Sequence, residues 1–351
     1  MRVLSRIITA VLFTIACIAL VKCTHATPQT GKPLEVYFVD VEGGQATLFV
    51  TPERQSLLID TGWSGFAGRD VDRIVAAAKN AGISKIDFVL ITHYHRDHVG
   101  GASQLAAKIP IGAFIDHGPN REPNDPDTEA GWQAYQKLLA DKKIKRITVK
   151  VGDVLPIRGI RGEVVSADGG LIATPLSDAG AQNPICATAE KKSADQTENA
   201  RSLGTVITFG KTRILDLGDL TWDKEMEMVC PVNKLGHMDI FIVSHHGLFQ
   251  SNSPALVSAI SPRIAIMDNG ADKGGSSSTL DILKKYLNFD DIWQLHFSNE
   301  GGAAHNADKS FIANLSGPDA GNYLKLTVWD NQIFDVFNSR TTTTMHYGEG
   351  D

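Results

Sequence analysis

Ten consecutive residues, Thr92–Gly101, constrain this chain more than any other stretch, because they place four potential metal ligands within six positions. They read Thr-His-Tyr-His-Arg-Asp-His-Val-Gly-Gly and follow a short apolar run that is typical of a buried strand. His93 and His95 are two residues apart, so on an extended backbone both imidazoles point the same way. Asp97 and His98 come after the chain has begun to turn, and they can face a second point. The loop is therefore predicted to serve two adjacent divalent cations, preferably zinc, with manganese or iron as alternatives.

The stretch resembles the HxHxDH signature of the metallo-β-lactamase superfamily, and Gly100–Gly101 match its usual continuation. Phe38–Ala46 (FVDVEGGQA) and Leu57–Gly62 (LLIDTG) extend the resemblance, which favours the ComEC/Rec2-related branch of DNA-uptake proteins and secreted hydrolases. That branch usually reads Asp-Val-Gly-Gln-Gly-Asp at the first motif, from which this chain departs. The resemblance implies an α/β fold, a four-layer αββα sandwich with metals at one edge. It also implies that Asp60 orients the metal-binding loop without binding metal.

Two later motifs match ligand positions of the family. Gly218–Asp219 matches the acidic motif whose Asp bridges both metals, since one carboxylate can span cations about 3.5–4 Å apart. Asp216 is the alternative, as a turn residue at a strand end. Ser244–Gly247 (SHHG) resembles the motif that supplies the last histidine to the second metal. Adjacent side chains on extended backbone point oppositely, so we expect one of His245 and His246, preferably His245, to bind metal and the other to pack or shuttle protons.

The third histidine that the family places on its first metal has no obvious counterpart. His117 is the only histidine between the metal-binding loop and Asp219, and it comes earlier than usual. It is therefore either a ligand or a surface turn residue. Asn199–Ser202 matches an Asn-x-x-Ser segment of the branch, so Asn199 or a water molecule is the alternative ligand.

The first 26 residues are predicted to be a signal peptide, which places the protein in the periplasm or outside the cell. A basic start precedes the uncharged apolar run Ile7–Val21, and Thr24–Ala26 offers small residues where a signal peptidase cleaves. An uncleaved anchor is the alternative, and a lipid anchor on Cys17 or Cys23 is a weaker one. The run is short for a membrane span. Residues 27–351 are predicted to form a single metallo-β-lactamase-fold domain.

Charge and cysteine content restrict the partners. The chain has 34 basic and 40 acidic residues, and removal of the signal peptide takes three basic ones, leaving 31 against 40. Such a chain has no general attraction for nucleic acid or anionic membranes, so we expect a small-molecule substrate and disfavour long nucleic acid. No later stretch is long and apolar enough for a membrane span, and nothing specifies an oligomeric state. Cys186 and Cys230 remain, and they form either a disulfide, which an exported compartment permits, or two separate thiols.

Periodicity predicts the remaining elements. Asp70–Ala81 and Glu129–Ala140 have helical spacing, and Val154–Ile157 is predicted to be a strand. Thr174–Ala200 has few large apolar residues and is predicted to be a long surface loop. The glycine-rich loop after Met267 either borders a substrate cleft or is a plain connection. The Thr-rich tail after Arg340 is expected to be frayed.

These features predict a dinuclear metal hydrolase in which Asp97 binds metal and orients the attacking water. Metal-activated water suits a phosphodiester, and a lactone or β-lactam is the alternative substrate. The absence of a GxSxG motif argues against an acyl-enzyme route. A flavodiiron-type oxidoreductase would need a flavin domain for which the chain has no room, and a metal-binding protein with little activity is the other alternative.

Overall fold

A computed structural model describes residues 31–287, 291–317 and 319–348 of the chain. The predicted signal peptide and its alternatives lie outside the described residues. Within the part that is described, no helix has the length and apolar character needed to cross a membrane.

Short strands dominate the described residues. In chain order they are β1 (Leu34–Phe38), β2 (Thr47–Val50), β3 (Ser56–Ile59), β4 (Ile86–Leu90), β5 (Ile111–Asp116), β6 (Lys145–Thr148), β7 (Arg161–Ala167), β8 (Gly170–Leu171), β9 (Gly204–Phe209), β10 (Thr212–Asp216), β11 (Ile240–Ile242), β12 (Ile264–Met267), β13 (Ile292–His296), β14 (Ile312–Asn314), β15 (Leu324–Val328), β16 (Phe334–Asn338) and β17 (Thr343–Tyr347). They form two mixed sheets, in the orders β17-β16-β15-β1-β2-β3-β4-β5-β6 and β14-β13-β12-β11-β10-β9-β7-β8. Strands β3 to β6 run parallel, as do β10 to β14.

Helices connect the parallel strands. They are α1 (Arg69–Asn80), α2 (Arg96–Val99), α3 (Ala102–Lys108), α4 (Pro126–Lys142), α5 (Trp222–Val229), α6 (Pro254–Ile260), α7 (Ser277–Tyr286) and α8 (Gly302–His305). The predicted helices agree with α1 and α4 to within three residues at each end. Helix α4 begins where the Asp125 side chain accepts a hydrogen bond from the Thr128 N–H, with proline at the first helical position.

Alternating side chains of β1 show the layering. Leu34, Val36 and Phe38 belong to a core shared with the second sheet, whereas Tyr37 and, directly after the strand, Val39 belong to a separate core with helices α1, α3 and α4. Successive side chains of a strand point to opposite faces, so the first sheet lies between these helices and the second sheet. Helices α6 and α7 pack on the second sheet within the shared core. The four-layer αββα sandwich predicted from the sequence is therefore confirmed.

Two local predictions were wrong. The tail after Arg340, as far as it is described (341–348), is not frayed, because β17 pairs antiparallel with β16, and Tyr347 stacks on Phe334 with ring centroids 5.0 Å apart. The stretch predicted as a strand at Val154–Ile157 makes only an isolated bridge, between Val154 and Glu163. A four-residue apolar stretch and a Thr-rich composition are weak signals, because strand formation depends on an available neighbouring strand as well as on local propensity.

The predicted surface loop Thr174–Ala200 has little regular structure, but it is tied to the fold. A disulfide joins Cys186 in this loop to Cys230 at the end of α5, so the two thiols are paired. Farther along the loop, Glu198 is fully buried. The end of the loop therefore reaches the interior, beside the residues described next.

Candidate metal centre

Four connections meet at one edge of the sandwich. They follow β4, β10, β11 and β12, all at the carboxyl ends of parallel strands. Each carries potential metal ligands or residues that contact them. Because carboxyl ends of neighbouring parallel strands meet at the same edge, ligands far apart in sequence come together there.

The tightest group of ligands is Asp97, His98, Asp219 and His246. Their ligand atoms all lie within 4.8 Å of one another, and all four residues are buried. His98 Nε2 lies 3.2 Å from Asp97 Oδ2 and 3.2 Å from Asp219 Oδ2, while His246 Nε2 lies 3.1 Å from Asp97 Oδ2. Two imidazoles and two carboxylates form a donor set that suits zinc, manganese or iron.

A second, looser group surrounds the same Asp219 carboxylate. His245 Nε2 lies 3.4 Å and His93 Nε2 lies 3.8 Å from Asp219 Oδ2. The His95 ring is adjacent to that of His93, with centroids 4.6 Å apart. His93 is fully buried, and its Nε2 has no hydrogen-bond partner among the described residues. A buried polar atom without a partner is costly, and a metal ion bound there would remove that cost, so the residues fit a second cation.

The charges of the tight group balance one another. Burial alone would raise the pKa of Asp97 and Asp219, but neighbouring positive groups, His98 foremost, hold both pKa values well below the usual range. Burial likewise opposes protonation of His98, yet Asp219 and Asp97 raise its pKa well above normal. Protons on the histidines thus compensate the carboxylates, and divalent ions would replace those protons on binding.

Two of the three imidazoles in the looser group, those of His93 and His245, have lowered pKa values, whereas the hydrogen bond to Glu122 raises the pKa of His95 against the effect of burial. Burial, followed by the nearby His98 and His95, lowers the pKa of His93 well below its ordinary value. Burial also lowers the pKa of His245 to about 4, against the opposing effect of Asp219. The neutral form is the one that binds metal, so these two histidines are in the state a ligand requires.

Asp60 contacts the metal-binding loop through Thr92 and His98, consistent with the orienting role predicted from the sequence. The buried carboxylate accepts hydrogen bonds from the Thr92 N–H at 2.8 Å and the Thr92 hydroxyl at 2.6 Å. His98 Nδ1 lies 2.7 Å from Asp60 Oδ2. The bond leaves His98 Nε2 directed at Asp97 and Asp219.

The other histidines follow the same pattern, in which a neighbour contacts one ring nitrogen and the other stays available. Hydrogen-bonding contacts join Thr92 Oγ1 to His93 Nδ1 at 3.0 Å, Ser251 Oγ to His245 Nδ1 at 3.3 Å, and Glu122 Oε2 to His95 Nε2 at 3.1 Å. Asp268 Oδ1 lies 3.5 Å from His246 Nδ1, within ion-pair distance but without a hydrogen bond. Such partners set the tautomer and ring orientation of metal-binding histidines. The sequence reasoning identified neither Glu122 nor Ser251, because nothing local marks them.

The His245–His246 pair does not lie on extended backbone, and the expectation that the two rings point oppositely was wrong. Both residues adopt left-handed conformations, with φ of 54° and 52°. The turn brings both imidazoles to the Asp219 carboxylate, His245 to Oδ2 and His246 to Oδ1 at 3.5 Å. It is His246, not the favoured His245, that belongs to the tight group. Such strained backbone concentrates at functional sites.

His117 fits neither alternative that the sequence offered, because it is not directed at Asp219 as a ligand would be and it is buried rather than at the surface. Its Nε2 lies 3.1 Å from the buried Glu198 carboxylate. Asn199, the alternative, lies next to the centre with its Nδ2 3.4 Å from His245 Nε2, and its Oδ1 has no hydrogen-bond partner among described residues. The position of His117 follows from Glu198, a residue that the sequence reasoning did not single out.

Asp216 and Asp219 have different environments. The Gln45 amide donates to Asp216 Oδ2 at 2.7 Å, and the Gly218 N–H donates to Asp216 Oδ1 at 2.9 Å. Asp216 is therefore a strand-end turn residue, and Asp219 is the carboxylate that faces the histidines. Gly218 is required between them, because its φ is 55° and a Cβ there would lie 2.9 Å from Thr92.

An open cleft of about 410 Å³ borders the centre. Its lining includes Asp97, Trp63 and His95, together with the acidic residues Glu122, Asp125, Asp127 and Asp195. The lining has one arginine, Arg96, whose guanidinium lies 3.3 Å from Asp127. The cleft is thus negatively charged apart from what the metal ions would add.

Residues 39–181 match the model of the metallo-beta-lactamase superfamily. ComE operon protein 3 from Bacillus subtilis is 24% identical to the chain over 250 residues, which cover 67% of this chain and 28% of that protein. Recombination protein 2 from Haemophilus influenzae is 24% identical over 245 residues, covering 69% of this chain and 25% of that protein. The chain thus spans about a quarter of the length of these curated relatives.

The chain also matches solved structures at low similarity. One is the metallo-beta-lactamase fold protein YhfI from Bacillus subtilis, with a TM-score of 0.45 and 12% identity over 84% of this chain and 100% of that one. Another is Zn(2+)-bound PqqB from Methylobacterium extorquens, with a TM-score of 0.43 and 13% identity over 74% and 97% of the respective chains.

Proposed function

We propose that the protein is a hydrolase that uses two divalent metal ions, on the premise that residues 39–181 match the model of the metallo-beta-lactamase superfamily. The observation that carries this proposal is the buried cluster of Asp97, His98, Asp219 and His246, with all ligand atoms within 4.8 Å. Buried carboxylates and imidazoles at the mouth of an open cleft meet the needs of a catalytic metal better than those of a structural one, which is closed to substrate.

The ligands divide around Asp219. Asp97, His98 and His246 would hold the second ion, and His93, His95 and His245 would hold the first. The Asp219 carboxylate, which faces both groups, would contribute to each site. Glu122 holds His95 Nε2, which leaves Nδ1 for the metal. This division uses every histidine of the centre. It assigns His245 as the third histidine of the first metal, for which the sequence offered no obvious candidate. The metals are proposed to be zinc, with manganese and iron as alternatives.

Bound ions would lower the pKa of a water toward about 7 and polarise the scissile bond. The surrounding residues position the attacking water and the metal-binding histidines. Asp97 lines the cleft, so its carboxylate accepts a hydrogen bond from the attacking water and orients it. Asp60 keeps His98 in one orientation, and the buried Thr92 does the same for His93.

The proposed substrate is a small phosphodiester. Two adjacent cations complement the non-bridging phosphoryl oxygens and an in-line displacement. The acidic lining of the cleft supports a small substrate rather than a nucleic acid polymer, because successive phosphates would meet Asp125, Asp127 and Asp195. Resemblance to DNA-uptake proteins favours phosphodiester chemistry without specifying the length of the substrate.

A substrate panel combined with elemental analysis tests the proposal. The zinc- and manganese-loaded protein is assayed with bis-p-nitrophenyl phosphate, a homoserine lactone and nitrocefin. We expect two ions per chain and turnover of the diester. Asp97→Ala should abolish turnover and reduce metal content, whereas Asp127→Ala, which changes an exposed cleft carboxylate outside the metal group, should keep both ions. Turnover of only the lactone or lactam would contradict the substrate class, and bound metal without any turnover would contradict hydrolysis.

Export is proposed as well. The basic start and apolar run of the N-terminus motivate it, and the disulfide between Cys186 and Cys230 supports it because disulfides persist in oxidising compartments. N-terminal sequencing of protein from a Gram-negative host should begin at or near Thr27. An intact Met1 on a cytosolic form would contradict export.

A further inference from the structure

The side chain of Lys273 reaches the metal centre from the loop after β12. Its ammonium contacts Asp97 Oδ2 and donates a hydrogen bond to the Gly43 carbonyl at 2.7 Å. The same nitrogen lies 4.9 Å from the centre of the Trp63 ring. The side chain is 30% exposed, and both Asp97 and Trp63 line the open cleft. Lys273 therefore places a positive charge where the metal centre meets solvent.

The loop that carries Lys273 is packed against the metal-binding residues. The Gly270 N–H donates to the Lys273 carbonyl at 2.8 Å, and the Gly275 N–H donates to the His246 carbonyl at 2.8 Å. A Cβ on Gly274 would lie 2.1 Å from the His246 carbonyl oxygen, so only glycine permits this approach. The position of the ammonium is thus coupled to the backbone of a proposed ligand.

The ion pair between Lys273 and Asp97 competes with metal binding. Asp97 Oδ2 also contacts His98 and His246, and a divalent ion bound to that oxygen would repel the ammonium. The Gly43 carbonyl and the Trp63 ring would still attract Lys273, but neither carries a charge that neutralises it. The ammonium would then lie beside the metals, accessible from the cleft and without an anionic partner. The cleft's own arginine, Arg96, is already paired with Asp127.

We infer that Lys273 is the anion-binding residue of the centre and pairs with a non-bridging phosphoryl oxygen of the substrate. This inference rests on the proposed phosphodiesterase function. Lys273 supplies the one lysine ammonium in contact with the tight metal-binding group among the described residues, and the acidic cleft receives the ester substituent. The combination selects a substrate with a single anionic group, because a second phosphate would extend into the acidic lining.

The test compares Lys273→Gln with Lys325→Gln. Lys325 is a matched control, because it pairs with Glu35, lies 5.2 Å from the Tyr37 ring and is 25% exposed, yet it lies on a strand outside the metal centre. The readouts are inorganic phosphate binding by calorimetry on the metal-loaded protein, metal content, and kcat/KM for bis-p-nitrophenyl phosphate and for neutral p-nitrophenyl acetate. Lys273→Gln should weaken phosphate binding and lower kcat/KM for the diester by about 10- to 100-fold, the range for a hydrogen bond to a charged group. The neutral ester should be affected less than about twofold, within the variation expected for a contact that it does not use.

Metal content separates the inference from a structural role. Lys273→Gln should retain two ions per chain, because the ammonium competes with metal for Asp97. Lys273→Arg keeps the charge and should restore at least part of the phosphate affinity. Loss of metal, or equal losses on the charged and neutral substrates with unchanged phosphate binding, would overturn the inference. If wild type turns over no diester, the proposed function fails, while the phosphate titration still decides the role of Lys273.

Discussion

Replacing His245 and His246 separately by alanine tests how the two metals share the centre. The structure places His246 Nε2 3.1 Å from Asp97 Oδ2 and His245 Nε2 3.4 Å from Asp219 Oδ2. In the proposed division each metal has four protein donors, counting the bridging Asp219 in both sets. Each variant should therefore lose one ion, and the two variants should lose different ions.

The expected magnitude follows from the number of donors. A structural zinc site with four ligands binds with roughly 10–16 kcal/mol, so one ligand accounts for about a quarter, or about 2.5–4 kcal/mol. Since about 1.4 kcal/mol changes affinity tenfold, each variant should bind its affected ion on the order of 100- to 1,000-fold more weakly. Stepwise titration against a chromophoric chelator measures this change, and anomalous scattering from crystals identifies the emptied position.

His346→Ala serves as the control, because this histidine is 53% exposed, lies on the edge strand β17 and pairs with Asp335 on the neighbouring strand β16. It should bind both ions as wild type does. If His245→Ala kept both ions at wild-type affinity, His245 would not be a ligand. If both variants emptied the same position, the division of the pair between the metals would be wrong.

Three further predictions concern stability. Asp60→Ala removes the buried acceptor of three hydrogen bonds, so it should destabilise the fold by about 2–5 kcal/mol and weaken metal binding about 10- to 100-fold. Thermal unfolding measures the stability and chelator titration the metal affinity. A wild-type melting temperature would refute the structural role of Asp60. Replacing Cys186 and Cys230 by serine opens a crosslink over 44 residues and should cost about 2–4 kcal/mol in urea unfolding; an unchanged midpoint would contradict it. Burial raises the pKa of Glu225 to about 7, so the native state binds more protons than the unfolded state between about pH 4.5 and 7, and stability falls as pH rises through that window. Glu225→Gln should flatten this pH dependence, and an unchanged slope would contradict it.

Local sequence was sufficient for the features that short-range geometry determines. The apolar run before Thr92 predicted the strand that β4 forms, and the spacing of His93 and His95 placed their rings side by side. The apolar spacing of Asp70–Ala81 predicted α1 for the same reason, since helix and strand periods are properties of the chain itself. Resemblance of the metal-binding loop to a known family then predicted the four-layer sandwich.

Several features depended on contacts that no local pattern encodes. Val154–Ile157 was predicted to be a strand but makes only the Val154–Glu163 bridge, whereas the polar segment that forms β17 is a strand because β16 offers an edge and Phe334 receives Tyr347. Pairing depends on an available neighbour as well as on propensity. The sequence therefore predicted individual strands less well than it predicted the fold.

The metal centre likewise combines features that local sequence determines with features that depend on tertiary contacts. The sequence determined the ligand types, the metal-binding loop and the second-half motifs in which Asp219 and the paired histidines lie. Tertiary structure decided that Glu198 draws His117 away, that a left-handed turn brings both His245 and His246 to one carboxylate, and that Lys273 meets Asp97 across 176 positions of sequence. The physical reason is that ligand chemistry belongs to the side chain, whereas its direction depends on backbone turns and neighbours that only the packed sheets bring together.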